Sequence, residues 1–105
     1  MNENTPILSV EARFFIPQRG LVIVPGLKHH SGNSISFTAN IIVRPPNGSP
    51  FPAVASFNTE HFLYAGGNGE YKVVISIKDM AKENIEIGSQ IFVDQETKAR
   101  IGITP

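Results

Sequence analysis

Stretches in which apolar and polar residues alternate constrain the fold of this chain more than any other feature. Alternation with a period of two places every second side chain on one face, which is typical of a β-strand with one buried face. The segment 70–78, EYKVVISIK, follows this pattern, and the segment 34–44, SISFTANIIVR, follows it most clearly. We therefore predict two strands here. The apolar face of the segment 34–44 consists of Ile35, Phe37, Ala39, Ile41 and Val43.

Other short apolar stretches predict further strands, and residues that favour turns separate them. The stretch 45–52, PPNGSPFP, is predicted to be a loop, because prolines cannot donate to a ladder and Asn-Gly favours a positive φ. The stretch 79–89 is predicted to be a loop or a single helical turn that Asp79 caps and Gly88 ends. The other predicted strands span residues 7–15, 21–24 (ended by Pro25), 53–57, 61–64, 90–93 and 99–103.

Seven or eight short strands, with no amphipathic helix long enough to cover a sheet, predict an all-β fold. Because almost every strand has one apolar face, the sheet must close on itself or stack against another sheet. We expect a small closed antiparallel barrel of six to eight strands, and a β-sandwich is the alternative. A chain of 105 residues fits one domain, so residues 1–105 are predicted to form a single barrel domain, with residues 1–6 as a flexible N-terminal tail.

Charge and composition argue against several classes of function. Nine basic residues balance nine acidic residues, whereas a protein that binds nucleic acid mainly through phosphates is usually basic. The chain has no cysteine, which excludes disulfides, thiolate metal ligands and a cysteine nucleophile. No apolar segment approaches the roughly 20 residues that a membrane helix needs. We therefore expect a cytoplasmic protein that does not contact a membrane.

Four stretches, in order along the chain, look like parts of a known barrel. VEARFFIP, SISFTANIIV, GEYKVVISIK and QIFVDQETKARIGI resemble strands of the C-terminal (third) β-barrel domain of elongation factor Tu, and the resemblance covers residues 9–103. QRGLVIVPG and VVISIKDMAKENIEIGSQIF look like the second barrel domain of the same translation GTPases, so the choice of domain stays open. The resemblance implies a translation-factor type of barrel that contacts a protein partner, tRNA or ribosomal RNA.

The GTPase part of such a factor is missing from this sequence. The Gly-rich stretch 66–69, GGNG, is followed by Glu70 and a predicted strand, whereas a phosphate loop continues with Lys and Ser or Thr. We therefore predict no nucleotide and no cofactor.

Catalytic and metal-binding residues are also not evident. His29 and His30 are adjacent, and with His61 they lack the spacing of metal ligands. Ser31 and Ser34 lie near them in sequence, but no GxSxG nucleophile elbow or acid partner accompanies them. We predict that the chain is not an enzyme.

Basic and aromatic residues in the first half form the candidate partner-binding set, because that combination suits RNA or an acidic protein. Scattered basic residues are also typical of any soluble surface. Exposed Phe15 or Ile42, on the polar faces of their strands, would indicate a second burial surface. The candidate set is Arg13, Phe15, Arg19, Lys28, His29, His30 and Arg44.

The leading functional hypothesis is a non-catalytic binding module, a free-standing elongation-factor-like barrel that contacts a protein or RNA. The alternative is a cytoplasmic inhibitor or immunity-type protein that masks a toxin or an enzyme. A third hypothesis is a small metal-dependent hydrolase built around His29, His30 and His61.

Overall fold

One seven-stranded antiparallel sheet dominates the structure, a computed structural model that describes residues 4–28, 34–63, 69–78 and 80–101. The strand order is β1-β7-β4-β5-β6-β3-β2, which confirms the predicted all-β fold and strand number. The elements are β1 (Asn4–Ser9), β2 (Ala12–Ile16), β3 (Gly20–Lys28), β4 (Ser36–Arg44), β5 (Phe51–Leu63), β6 (Gly69–Ile77), a 3₁₀ helix (Lys82–Asn84), β7 (Gln90–Asp94) and α1 (Gln95–Ile101).

The sheet curls into a half-barrel because its two end strands are consecutive in the chain. β1 pairs with β7, β2 pairs with β3, and only Val10 and Glu11 separate β1 from β2. The Val10 N–H donates to the Ser89 carbonyl at 2.8 Å, whereas the Glu11 N–H donates to the Val24 carbonyl at 2.8 Å. A single continuous segment therefore changes partner from one end of the sheet to the other. A curled single sheet, and not a pair of stacked sheets, is the observed architecture.

Apolar side chains on the inner face of the sheet form the core. Phe57 is fully buried, and its ring stacks on that of Phe37 with centroids 5.1 Å apart. Burying each large apolar side chain stabilises the fold by about 1.5–3 kcal/mol. Two of the five predicted inward residues of the segment 34–44 are fully buried, and the other three pack against the core. The largest fully buried side chains include Leu21, Ile23, Ile41, Val43, Phe57, Val73, Ile75, Ile77, Ile85, Ile91 and Ile101.

The strand β6 confirms the alternation that predicted it and adds burial on its second face. Val73, Ile75 and Ile77 lie in the core, as the pattern indicates. Val74 and Ser76 on the opposite face are also buried. β6 lies between β5 and β3, so side chains of two neighbouring strands flank its outer face as well.

Two predicted strand ends were wrong. The predicted strands 53–57 and 61–64 are parts of one strand, β5, which starts inside the predicted loop 45–52 at Phe51. β3 does not end at Pro25 but continues to Lys28. The pairing of β3 with β6 shifts register between Ile23 and Leu27, and such an irregularity accommodates a proline that cannot donate to the ladder.

Both ends of the chain also differ from the prediction. The predicted single strand 7–15 is divided at Val10 and Glu11. The predicted tail, residues 1–6, includes the first three residues of β1, which pair with β7. The predicted strand 99–103 was wrong over residues 99–101, which belong to the helix α1, and residues 102 and 103 lie outside the described residues.

The helix α1 forms because Asp94 caps it and its residues favour helices. The Thr97 N–H donates to Asp94 Oδ1 at 2.8 Å, and Gln, Glu, Lys, Ala and Arg follow the cap. Thr97 and Ile101, four residues apart, are buried. The Arg100 guanidinium lies 4.0 Å from the centre of the Phe37 ring, so α1 is held against the aromatic end of the core.

The connection between β6 and β7 contains one 3₁₀ turn, as the prediction of a loop or single turn allowed. No side chain caps this turn, and Asp79, the predicted cap, lies outside the described residues. In the described part of the chain, no helix has the length and apolar character needed to span a membrane.

The turn between β2 and β3 requires residues with positive φ. The Arg19 N–H donates to the Ile16 carbonyl at 3.0 Å, and Gln18 has φ +77°. Pro17 before a residue with positive φ is the arrangement of a type II turn. Gly20, at φ +93°, then starts β3, where a Cβ would lie 2.6 Å from the Ile77 carbonyl oxygen.

We predict that Gly20→Ala lowers the free energy of unfolding by at least about 2 kcal/mol, because it adds backbone strain and a clash with β6. Gly48→Ala is the matched control, since a Cβ there meets only Pro45 carbon atoms at 3.6 Å. Its effect is expected to stay within about 0.5 kcal/mol. Chemical denaturation measures both, and equal effects of the two substitutions would contradict the prediction.

The cap of α1 predicts a pH dependence. Hydrogen bonds from the Thr97 backbone N–H and then from its side chain hold the pKa of Asp94 below its ordinary value of 3.8. A carboxyl with a lowered pKa in the folded state adds stability above its unfolded pKa and loses it as pH falls through the folded pKa. Below about pH 4, the melting temperature of the wild type should therefore fall more steeply than that of Asp94→Asn, whose amide accepts the same bond without titrating. Parallel pH profiles would show that the cap does not titrate.

Candidate functional site

Three consecutive large apolar side chains are exposed on β2. The exposed fractions of Phe14, Phe15 and Ile16 are 56%, 60% and 39%. We call Phe14–Ile16 the aromatic edge, because β2 is the last strand of the sheet and pairs only with β3 among the described strands. An exposed apolar edge strand is a template for another chain, and soluble proteins usually protect such edges.

The aromatic edge is open on both faces of the sheet. Phe15 lies opposite Leu21, which is fully buried, so Phe15 is on the inner face of β2. Phe14 lies opposite Val22 and is on the outer face. Because both aromatic rings are more than half exposed, β2 has few neighbours on either side, and its attachment to the sheet is through β3.

Both phenylalanines of β2 are exposed, and each lies on the face opposite to the one that the alternation in the sequence gives it. Phe15 is exposed, but it lies on the inner face of β2, whereas the alternation in the sequence placed it on the polar face of its strand. Phe14 alternates in phase with Val10 in the sequence, yet Val10 is buried and Phe14 is exposed on the outer face, because the chain changes partner between these two residues. Ile42, the other apolar residue on a polar face, is half-buried between Phe92 and Pro52.

A shallow groove of 430 Å³ lies beside the aromatic edge at the mouth of the barrel. The chain that leaves β6 forms one wall of the groove, and the end of β2 with its turn forms the other. Among the described residues that line it, Lys78 is the charged one, and it is exposed. The groove is lined by Phe15, Gln18, Gly20, Lys78, Met80 and Ala81.

The two arginines closest to the aromatic edge already have protein partners. Arg13 Nε donates to the Lys82 carbonyl at 3.3 Å. Arg19 forms a two-pronged ion pair with Glu60, in which Nη1 donates to Oε1 at 3.0 Å and Nη2 pairs with Oε2. The ion pair between Arg19 and Glu60 connects the turn after β2 to β5. These contacts therefore help to hold the edge in place.

The other predicted partner-binding residues do not join this site. Arg44 is exposed at the end of β4 and lines a different groove with Pro45, Pro46 and Gly88. Lys28 is the last residue of β3. The Lys28 side chain and the whole of His29 and His30 lie outside the part that the structure describes.

Sequence reasoning missed Phe14 and Ile16 as site residues. A signal for them exists, because the run of Phe14, Phe15 and Ile16 has apolar residues on both faces of a strand and so breaks the alternation. A strand of this kind is either buried on both faces or has an exposed apolar surface that another chain can cover. Pro17 and the turn that follows it favour a strand at the edge of the sheet and not a strand in its centre.

Among the described residues, no three His, Cys, Asp or Glu side chains come together as a metal site. The side chains of the three histidines lie outside those residues, so the hydrolase hypothesis stays a prediction.

Comparison of the chain with models of protein families, with curated proteins and with solved structures finds no match. The resemblance to the third domain of elongation factor Tu therefore also stays a prediction.

Proposed function

We propose that this chain is a non-catalytic binding module that contacts a protein partner through the aromatic edge. The observation that carries the proposal is the exposure of three consecutive large apolar residues on a strand that ends the sheet. A partner segment that pairs with β2 gains main-chain hydrogen bonds along the edge, and its side chains cover the exposed rings. Covering one exposed Phe contributes about 1.5–3 kcal/mol before the cost of association.

A protein fits this edge better than RNA does. Arg13 and Arg19 already donate to Lys82 and Glu60, and the net charge of the chain is zero. Binding of RNA depends largely on cations that neutralise phosphates. Aromatic rings can stack on bases, but Arg13 and Arg19 beside these rings bond within the protein, which leaves Lys78 as an exposed cation in the adjoining groove. The edge therefore favours an apolar protein surface.

The proposal includes both kinds of binding protein that the sequence suggests. An elongation-factor-like barrel and an inhibitor of a toxin or enzyme would each use a rigid sheet edge to hold a partner, and the identity of the partner distinguishes them.

Photo-crosslinking tests this function directly. Benzoylphenylalanine replaces Phe15 in one variant and Val54 in a control, since Val54 on β5 is 57% exposed but lies away from β2. In a lysate of the native cell, the Phe15 variant is expected to crosslink a defined protein band that the control does not give. A further Phe14→Ser substitution should weaken that band about tenfold, because it removes most of the apolar contact next to the probe.

Equal crosslinking from both positions would contradict the proposal, and so would a crosslink to RNA alone. Circular dichroism of each variant shows whether the fold is retained, which is expected because all three substituted side chains are more than half exposed.

A further inference from the structure

We infer that the partner on the aromatic edge is a second copy of this chain, whose β2 pairs antiparallel with the β2 of the first copy across a two-fold axis at Phe14. The inference rests on the proposed function, because it names the partner of the same edge. Three features carry it: the open edge, the symmetry of a strand pair, and the side-chain order of β2, Ala-Arg-Phe-Phe-Ile.

Among the described strands only β3 pairs with β2, so the other edge of β2 is open in the plane of the sheet. Arg13 lies opposite Ile23, a core residue, so the side chain of Arg13 is on the inner face. The bond to the Lys82 carbonyl is therefore made by a side chain of the inner face. A second strand can approach Phe14–Ile16 about 4.8 Å away, at the normal spacing of a sheet.

Symmetry restricts the register of such a pair. Residues that face each other across two antiparallel strands share a face of the sheet. In a pair related by a two-fold axis perpendicular to the sheet, this condition holds only if the axis lies midway between the two copies of one residue, so that this residue faces itself. Below, an axis at a residue means an axis in this position. Within the central part of β2, the axis can therefore lie at Arg13, Phe14 or Phe15.

An axis at Arg13 is unfavourable. It places the two Arg13 guanidinium groups directly opposite each other, and like charges in that position destabilise a sheet. It also places each Phe15 opposite Glu11, a charged and exposed residue. The exposed rings would gain little cover.

An axis at Phe15 leaves part of β2 without a partner strand. It pairs Phe14 with Ile16, which is favourable, but it places Arg13 opposite Pro17. Pro17 lies outside β2 in the turn and has no N–H to donate to the ladder. Fewer residues of the strand would find partners.

An axis at Phe14 pairs every residue of β2 with another residue of β2. On the outer face, Phe14 meets Phe14 of the second copy, and each Ala12 meets Ile16, so a small side chain faces a large one. On the inner face, each Arg13 meets Phe15, which is a cation–π pair. The bond to Lys82 uses one of the five N–H groups of Arg13, so the flat face of the guanidinium can lie on the ring.

This register covers the exposed rings on both faces and gives the same contact on both copies. Such a contact closes at two copies and does not propagate into a fibre. Pro17 at one end of β2 and Glu11 at the other limit the pairing to the strand itself.

Single cysteine variants test the register, because the chain has no cysteine of its own. Directly opposite residues have Cβ atoms about 4.5–5.5 Å apart, so a small movement allows a disulfide. Under mild oxidation, Phe14→Cys is expected to form a covalent dimer. Arg13→Cys alone and Phe15→Cys alone should not, whereas a mixture of these two should form the mixed dimer.

Val54→Cys is the control for random collision, since its exposed fraction matches that of Phe14. If Phe14→Cys crosslinks no faster than Val54→Cys, or if Arg13→Cys crosslinks with itself, the inference is overturned.

Sedimentation velocity tests whether the chains associate without a covalent crosslink. The wild type is expected to form a dimer at concentrations of about 0.1 mM, typical of a small interface. Phe14→Glu places two like charges on the axis and should weaken the dimer at least about tenfold. Phe15→Glu is the matched variant, because its carboxylate faces Arg13 of the second copy and should keep the dimer.

The two proposals fail separately. A wild type that stays monomeric at about 1 mM overturns the second copy as the partner. If Phe15 then still crosslinks a different protein, the binding function stands. If Phe14→Glu does not fold, the cysteine series still decides the register.

Discussion

The change of hydrogen-bonding partner at Val10 and Glu11 is the constraint on which the rest of the structure depends. Before this point the chain pairs with β7, and after it the chain pairs with β3. The two ends of a seven-stranded sheet are thereby held by one short segment, and the sheet must curl. The curled sheet gives the long inner face that Phe57 and its neighbours fill.

The same change of partner leaves β2 with an unpaired edge. A strand that paired along its whole length with both neighbours would have no edge, as in a fully closed barrel. Here each half of the segment 4–16 pairs on one side only. The type II turn, Gly20 against β6 and the Arg19–Glu60 pair hold the free half in a fixed position. A fixed edge is pre-organised for binding, because its backbone loses little freedom on association.

The secondary structure could be predicted from the sequence where hydrophobic period, apolar content and turn residues all indicated the same element. The alternation in 34–44 and in 70–78 identified β4, β6 and their core faces, since period, apolar content and turn residues all indicated strands. At residues 99–103, a short alternating pattern indicated a strand, but Asp94 and a run of helix formers outweighed it. Proline usually ends a strand, but β3 continues past Pro25 because its pairing with β6 shifts register there.

The site was harder to predict than the fold. Phe15 was named as a candidate from its place on a polar face, yet it lies on the inner face of β2, whereas Phe14, which is in phase with the buried Val10, lies on the outer face. A change of partner between two strands is a long-range feature, and no local pattern encodes it. Arg13 and Phe15 of the candidate set both lie on the inner face of β2, whereas Arg44 lies at another groove.

Amide hydrogen exchange along β2, in dilute protein where no partner is bound, tests most directly whether this strand has an open edge. Exchange rates report the free energy of local opening, which is lowest where a strand has one neighbour and little buried surface. The structure predicts that amides of Ala12–Ile16 exchange at least about tenfold faster than those of β4 and β5, which have neighbours on both sides. Protection of β2 equal to that of β5 in the dilute monomer would contradict an open edge.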